Sequence, residues 1–214
     1  MASEALKFAA CLTLVASTIT VCSAEDVYKH VGGGNFSYTT SAEYGDEVIL
    51  AGTARVLTGI SFEYAANYAS TAGLTFRLYD QTGPLISGSA SPGVTIYEKT
   101  MDILNGGATV NINFGLDWSN VLPDRLTYTV QFTGLIPGNT AGLIAPGGIP
   151  VVGLSGEDFW EKTGPGANDW ALKAFGPGSP TENFVTTITA VPEPSTVAMM
   201  VAGAGLVLVA LRRK

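Results

Sequence analysis

Leu126-Thr127-Tyr128-Thr129-Val130-Gln131-Phe132 decides the fold. Its apolar and polar residues alternate strictly, which is the period of a strand with one face buried and one face wet. The same period recurs on both sides of it. Upstream, Val56, Thr58, Ile60, Phe62 and Tyr64 alternate with Arg55, Gly59, Ser61 and Glu63, Leu57 being the exception. Leu74, Phe76 and Leu78 alternate with Thr75 and Arg77, and Val110, Ile112 and Phe114 with Thr109, Asn111 and Asn113. Downstream, Phe184, Thr186 and Ile188 alternate with Val185, Thr187 and Thr189. Half-buried antiparallel strands carry this pattern.

Turn chemistry separates the runs at Tyr44-Gly45-Asp46, Asp80-Gln81-Thr82-Gly83-Pro84, Ser91-Pro92-Gly93, Asn105-Gly106-Gly107, Pro137-Gly138-Asn139 and Gly164-Pro165-Gly166. Roughly ten short strands at such spacing imply an all-β domain, an antiparallel β-sandwich of jelly-roll-like type, over residues 25–190. The Gly- and Pro-rich stretch Ala141 to Gly156 carries Leu143, Ile144, Ile149, Val151, Val152 and Leu154, which predict short strands on the core.

Both ends of the chain differ from this domain. Met1 to Ala24 reads as a secretory signal peptide: Lys7 stands before an apolar run from Phe8 to Val21, and Cys22-Ser23-Ala24 offers small residues for cleavage between Ala24 and Glu25. An N-terminal helix of the mature domain is the alternative; a lipoprotein reading of Cys22 meets a bulky Val21 where a small residue is wanted. Both cysteines, Cys11 and Cys22, fall in this segment, so the expected mature chain has no thiol and no disulfide.

At the other end Pro192-Glu193-Pro194 is stiff and extended, because each proline fixes its own φ and disfavours helix in the residue before it. Ser195 is a good N-cap for a helix from Thr196 to Leu211, a stretch without charge. Sixteen residues give roughly 24 Å, close enough to a ~30 Å hydrocarbon core for flanking cations to make up the difference. Arg212, Arg213 and Lys214 close the chain and place that end in the cytoplasm. A buried core helix would show a polar stripe, and this segment has none.

The order of Val191-Pro192-Glu193-Pro194-Ser195, an apolar helix and the cations Arg212, Arg213 and Lys214 resembles the PEP-CTERM sorting signal of exported bacterial proteins. The resemblance covers residues 191–214. It implies an exosortase as partner, removal of the tail near the triplet, passage through the membrane as a transient anchor, and a host that makes exopolysaccharide. Within the domain, the order GDEVILAGTARVLTGISFEY, LTFRLYD, PGVTIYEK, LTYTVQFTG, EDFWEKTG and DWAL is similar to a β-sandwich type found ahead of such tails. That second resemblance runs from about Phe36 to Phe175 and implies a fold and a sorting route, with no activity attached.

Charge narrows the partners. Setting aside Glu4 and Glu193 leaves sixteen acids in residues 25–190; setting aside Lys7, Arg212, Arg213 and Lys214 leaves seven bases, a net charge of −9. So acidic a domain disfavours nucleic acid and anionic surfaces. Its one histidine, His30, is read as lying in a mobile segment ahead of the first strand, without a nucleophile elbow or the company that a zinc site needs. Two carboxylates would suffice for a glycosidase, and Glu43, Asp46, Glu47, Glu63, Glu98, Asp102, Glu157, Asp158 and Glu161 are candidates that sequence cannot pair. No cofactor is expected. Oxygen-rich stretches at Gly156-Glu157-Asp158 and Tyr44-Gly45-Asp46-Glu47 are where a structural calcium would find ligands, although no DxDxDG-type loop is present.

One stretch points to a ligand. Trp160-Glu161 and Asp169-Trp170 flank a five-residue turn, Gly164 to Asn168, typical of a hairpin. Trp160 and Trp170 would offer an aromatic platform to a sugar ring, with Glu161 and Asp169 on its hydroxyls; the competing reading puts at least one ring in the core. Leu172 follows Trp170 at strand spacing, which places Trp170 inside and leaves Trp160, among carboxylates, the more exposed of the two. The expectation is therefore an exported, non-enzymatic surface or exopolysaccharide-matrix protein. A carbohydrate-binding module is the alternative and a carbohydrate-active enzyme the third.

Overall fold

A computed structural model describes residues 23–32, 36–67, 72–115, 121–166, 168–174 and 183–193. Fifteen strands lie among them. The first eight are β1 (Glu25–His30), β2 (Phe36–Thr39), β3 (Tyr44–Ile49), β4 (Val56–Asn67), β5 (Gly73–Asp80), β6 (Leu85–Ile86), β7 (Ser89–Ala90) and β8 (Thr95–Asp102). Then follow β9 (Ala108–Asn113), β10 (Arg125–Thr133), β11 (Thr140–Ala145), β12 (Leu154–Ser155), β13 (Phe159–Lys162), β14 (Trp170–Lys173) and β15 (Thr186–Val191).

Two antiparallel sheets, one curled into a half-barrel, face each other in a sandwich-like arrangement. The first has the order β1-β15-β4-β11-β2, with β9 also paired to β4; the second has the order β14-β13-β3-β10-β5-β8, with β12 paired to β3. Between them, Leu57, Ile60, Phe62 and Ile188 of the first sheet meet Val48, Leu74, Phe76, Tyr128 and Val130 of the second. Phe62 stacks on Phe76 across the interface, ring centroids 5.4 Å apart. Large aromatics dominate the contact, as their area predicts.

The alternation read in the sequence holds in β4, β5, β9, β10 and β15, and its one lapse has a cause. Thr189 pairs with Gly59, but Ala190 pairs with Leu57, so Thr58 is an extra residue on β4. This bulge shifts the phase, and Val56 and Leu57 are both buried.

Three expectations are corrected. Tyr44-Gly45-Asp46 is no turn; it lies inside β3, opposite Thr129 at Gly45. The glycine is there for close approach: a Cβ would sit 1.9 Å from Tyr128 O. His30 ends β1 paired with Thr186 and is buried, not part of a mobile arm. In the stretch from Ala141, Leu143 packs in the core as expected, whereas Ile149, Val151 and Leu154 are exposed. The segment that carries them runs along the outer edge of β1, with Val151 and Val152 donating to Lys29 O, and covers backbone that an edge strand would otherwise leave bare.

The second sheet is buried on both faces in part. Thr127 and Thr129, on the polar side of β10, are fully buried like their apolar neighbours. What covers that side is a small second core of Tyr79, Trp160 and Trp170, with Ile86 of the β6–β7 hairpin and Leu172 packed against it.

Strand β1 begins at Glu25, and β15 ends at Val191, one residue into the expected tail. Among the described residues no helix is long and apolar enough to cross a membrane. The expected membrane helix, with Arg212, Arg213 and Lys214 behind it, and residues 1–22 of the expected signal peptide lie outside the described residues.

Candidate functional site

The hairpin expected between Phe159 and Leu172 is present: Trp160 pairs with Leu172 and Lys162 with Trp170. Pairing places both tryptophans on one face, the face away from the main core, and Trp170 meets Tyr79 edge-on at 5.5 Å. The four residues expected to bind a glycan are nonetheless not gathered on an open surface. Trp160 is 0% exposed and Trp170 5%. Glu161 points to the opposite face and accepts from Tyr38 Oη at 2.5 Å, and Asp169 caps its own turn by accepting from Gly166 N at 2.6 Å. The platform reading is therefore replaced by a satellite core. Trp160 is the more buried ring because β13 lies between β14 and β3, whereas Trp170 stands on the edge strand.

Under that satellite core sits Glu43, 4% exposed. Tyr79 Oη and Thr129 Oγ1 donate to its Oε1 at 2.8 and 2.7 Å. Arg77 lies 3.0 Å and Lys162 3.9 Å from its Oε2. Lys162 also stands 5.2 Å above the Trp170 ring. Burying a carboxylate is costly unless it is paired and hydrogen-bonded, and Glu43 is both. Glu43 stitches β5, β10 and β13 together; no local sequence signal marks it, because all its partners are distant in the chain.

A second polar group is enclosed between the sheets. Asp46, on the inward side of β3, accepts from Ser155 Oγ at 2.7 Å. Asn183, with its amide NH2 turned toward them, donates to Gly156 O at 2.9 Å and to Asp46 Oδ2 at 3.0 Å. Burial holds the Asp46 carboxyl well above the ordinary carboxylate range; Ser155 pulls it partly back, and Asp158 and Glu47 push it further up. His30, also buried, is displaced the other way, below its ordinary value, chiefly by burial. Asp46 and Glu47 thus serve opposite faces of β3 and cannot share one calcium. Among the described residues no three His, Cys, Asp or Glu side chains are placed to hold a metal ion.

Asp46 gives a pH prediction with a definite sign. A carboxyl whose folded pKa lies above its unfolded value of about 3.9 stabilises most below that value, and loses the contribution as pH rises toward the folded pKa. His30 acts oppositely, costing stability as pH falls below about 6.5. Comparing wild type with Asp46→Asn cancels His30. The stability of the wild type relative to Asp46→Asn is expected to fall as pH is raised from about 4, in urea titrations across that range. A pH-independent difference would clear Asp46 of the titration.

The outer face of the first sheet carries a shallow groove of about 180 Å3 lined by Gly59, Ser61, Asn111, Asn113, Thr187 and Thr189. Its floor is open because Gly59 has no side chain; a Cβ there would lie 2.8 Å from Thr189 Oγ1. The lining is rich in hydrogen-bonding groups and has no charge.

The last site is the exit of the chain. β15 lies between β1 and β4, and its final residue, Val191, pairs with Val56 and accepts from Arg55 N at 3.2 Å. Pro192 and Glu193 follow at once, half-buried, with no linker between strand and triplet. Residues 190–214 match the family model described as PEP-CTERM protein-sorting motif. The chain carries a PEP-CTERM sorting motif. No curated protein and no solved structure matches the chain. The PEP-CTERM motif implies export, sorting to the cell surface and processing by exosortase. It accounts for Val191, Pro192, Glu193, Pro194 and Ser195 as a signal; Pro194 and Ser195, like the cations behind them, lie outside the described residues.

Proposed function

We propose that this is a non-enzymatic structural or adhesive protein of the cell surface or exopolysaccharide matrix, whose sandwich is delivered by the PEP-CTERM tail and released or displayed after processing. The observation that carries the reading is the direct junction of a sorting motif to a closed β-domain at Val191. The domain's buried titratable groups support it: Glu43 and Asp46 are committed to contacts that hold the sheets, not displayed in a cleft. A jelly-roll topology is supported by the order β1-β15-β4-β9 in one sheet and β3-β10-β5-β8 in the other, two four-strand sets linked by the chain in sequence.

Replacing Pro192, Glu193 and Pro194 by alanine tests the sorting step. The variant is expected to be exported but to stay in the inner-membrane fraction at its unprocessed mass. A variant that is still cut and reaches the surface would defeat the reading.

A carbohydrate-binding role is the second reading, and the groove at Gly59 favours it. Uncharged amides and hydroxyls match the hydroxyls of a neutral glycan and carry no repulsive charge of their own. A glycan array on residues 25–190 separates the two: saturable binding competed by one free neutral oligosaccharide selects the second, and its lack the first.

A further inference from the structure

The two ends of the domain leave it side by side. Glu25, the first residue of β1, pairs with Ala190 of β15, so the segments beyond them start one strand spacing apart, about 4.8 Å. Around them the loops 50–55 and 121–125 close the same end of the sandwich: Ala51 N donates to Val27 O, Leu122 N to Arg55 O and Leu50 N to Asp124 O. A Cβ on Gly52 would lie 3.2 Å from Glu25 Oε1. Arg55 organises this end, donating to Ala51 O, Gly52 O and Ala54 O and pairing with Asp124 at 2.8 Å.

From this end the chain has little slack. Val191 is locked in the sheet, and only Pro192 to Ser195 precede the apolar segment. At about 3.3 Å each, four residues reach roughly 13 Å, of which the lipid headgroups take about 5–8 Å. We propose that the end of the sandwich bearing Gly52, Thr53, Arg55, Val121 and Asp124 is the face held against the lipid headgroups while the tail is in place. The inference rests on reading the tail as a membrane helix. Charge opposes the contact less here than over the rest of this acidic domain: Asp124 is paired with Arg55 and Glu47 with Arg125, and Glu25 is the exposed acid at this end outside those pairs. Val121, 43% exposed, adds apolar surface at the same end.

The test uses the expected mature chain from Glu25 onward, with its tail retained, in phosphatidylcholine–phosphatidylglycerol vesicles. The expected mature chain has no cysteine, so single reporters are clean. Thr53→Cys and Val121→Cys report on this end; Leu104→Cys, exposed beyond β8 and next to the turn that closes on the far end of β4, reports on the opposite end. Reaction with a bulky, membrane-impermeant maleimide is expected to be several-fold slower at Thr53→Cys and Val121→Cys than at Leu104→Cys in vesicles, and comparable in detergent. An insert of about ten Gly and Ser residues between Val191 and Pro192, adding roughly 17 Å of flexible reach, is expected to restore the slow sites. Equal rates in vesicles from chain that co-floats with lipid would overturn the proposal, as would shielding that survives the insert. Chain that fails to co-float would overturn the membrane-helix reading, and the proposal with it.

Discussion

Trp160→Ala is expected to lower the unfolding free energy of the domain by about 3–5 kcal/mol, read as a shifted midpoint in urea denaturation. The ring is 0% exposed and packs with Tyr79 and Trp170 on the side of the second sheet that the β6–β7 hairpin covers. Removing it opens a void in the cluster of Tyr79, Trp170, Ile86 and Leu172. Sequence reasoning expected the milder effect here and the larger one at Trp170, because the strand around Trp160 is rich in carboxylates. The neighbouring Glu161 faces the other way and is partnered by Tyr38. A change within about 0.5 kcal/mol of wild type would return Trp160 to the surface and revive the aromatic platform.

Gly45→Ala is expected to do more damage with one methyl group. The new Cβ would lie 1.9 Å from Tyr128 O and 2.6 Å from Thr129 Cα, both backbone atoms of the neighbouring strand. A side chain can rotate away from a clash; two strands in register, with Gly45 opposite Thr129, cannot. We expect either no folded protein by circular dichroism or a loss exceeding about 4 kcal/mol. Wild-type stability would mean that β3 and β10 do not approach as closely as this pairing requires.

Gly45 also marks where sequence reading reached its limit. Tyr44-Gly45-Asp46 has turn composition, and composition cannot distinguish a glycine that bends a chain from one that lets a neighbour come near. The alternation in Leu126–Phe132 was legible because each apolar residue there faces the shared core; that Thr127 and Thr129 are buried too was not, since their cover comes from residues 79–90 and 160–172. The hairpin around Gly164 was legible from its turn, but which face of it is covered depends on the distant β6–β7 hairpin. His30 looked like a stray terminal histidine because its burial depends on β15, more than 150 residues later. The sorting motif was readable in full because it is recognised as an ordered run of residues and needs no partner elsewhere.

The place of β15 also sets a timetable. It is the last of the described strands to be synthesised, yet it lies between β1 and β4, where Val191 pairs with Val56. Until Thr186 to Val191 have emerged on the far side of the membrane, the earliest strand of the domain has only its single bridge from Lys29 to Val152, and such late, long-range pairing is slow. Because the PEP triplet follows Val191 directly, the first sheet is completed only where the sorting motif begins. The last strand of the sandwich and the start of the sorting motif thus share almost the same point in the chain.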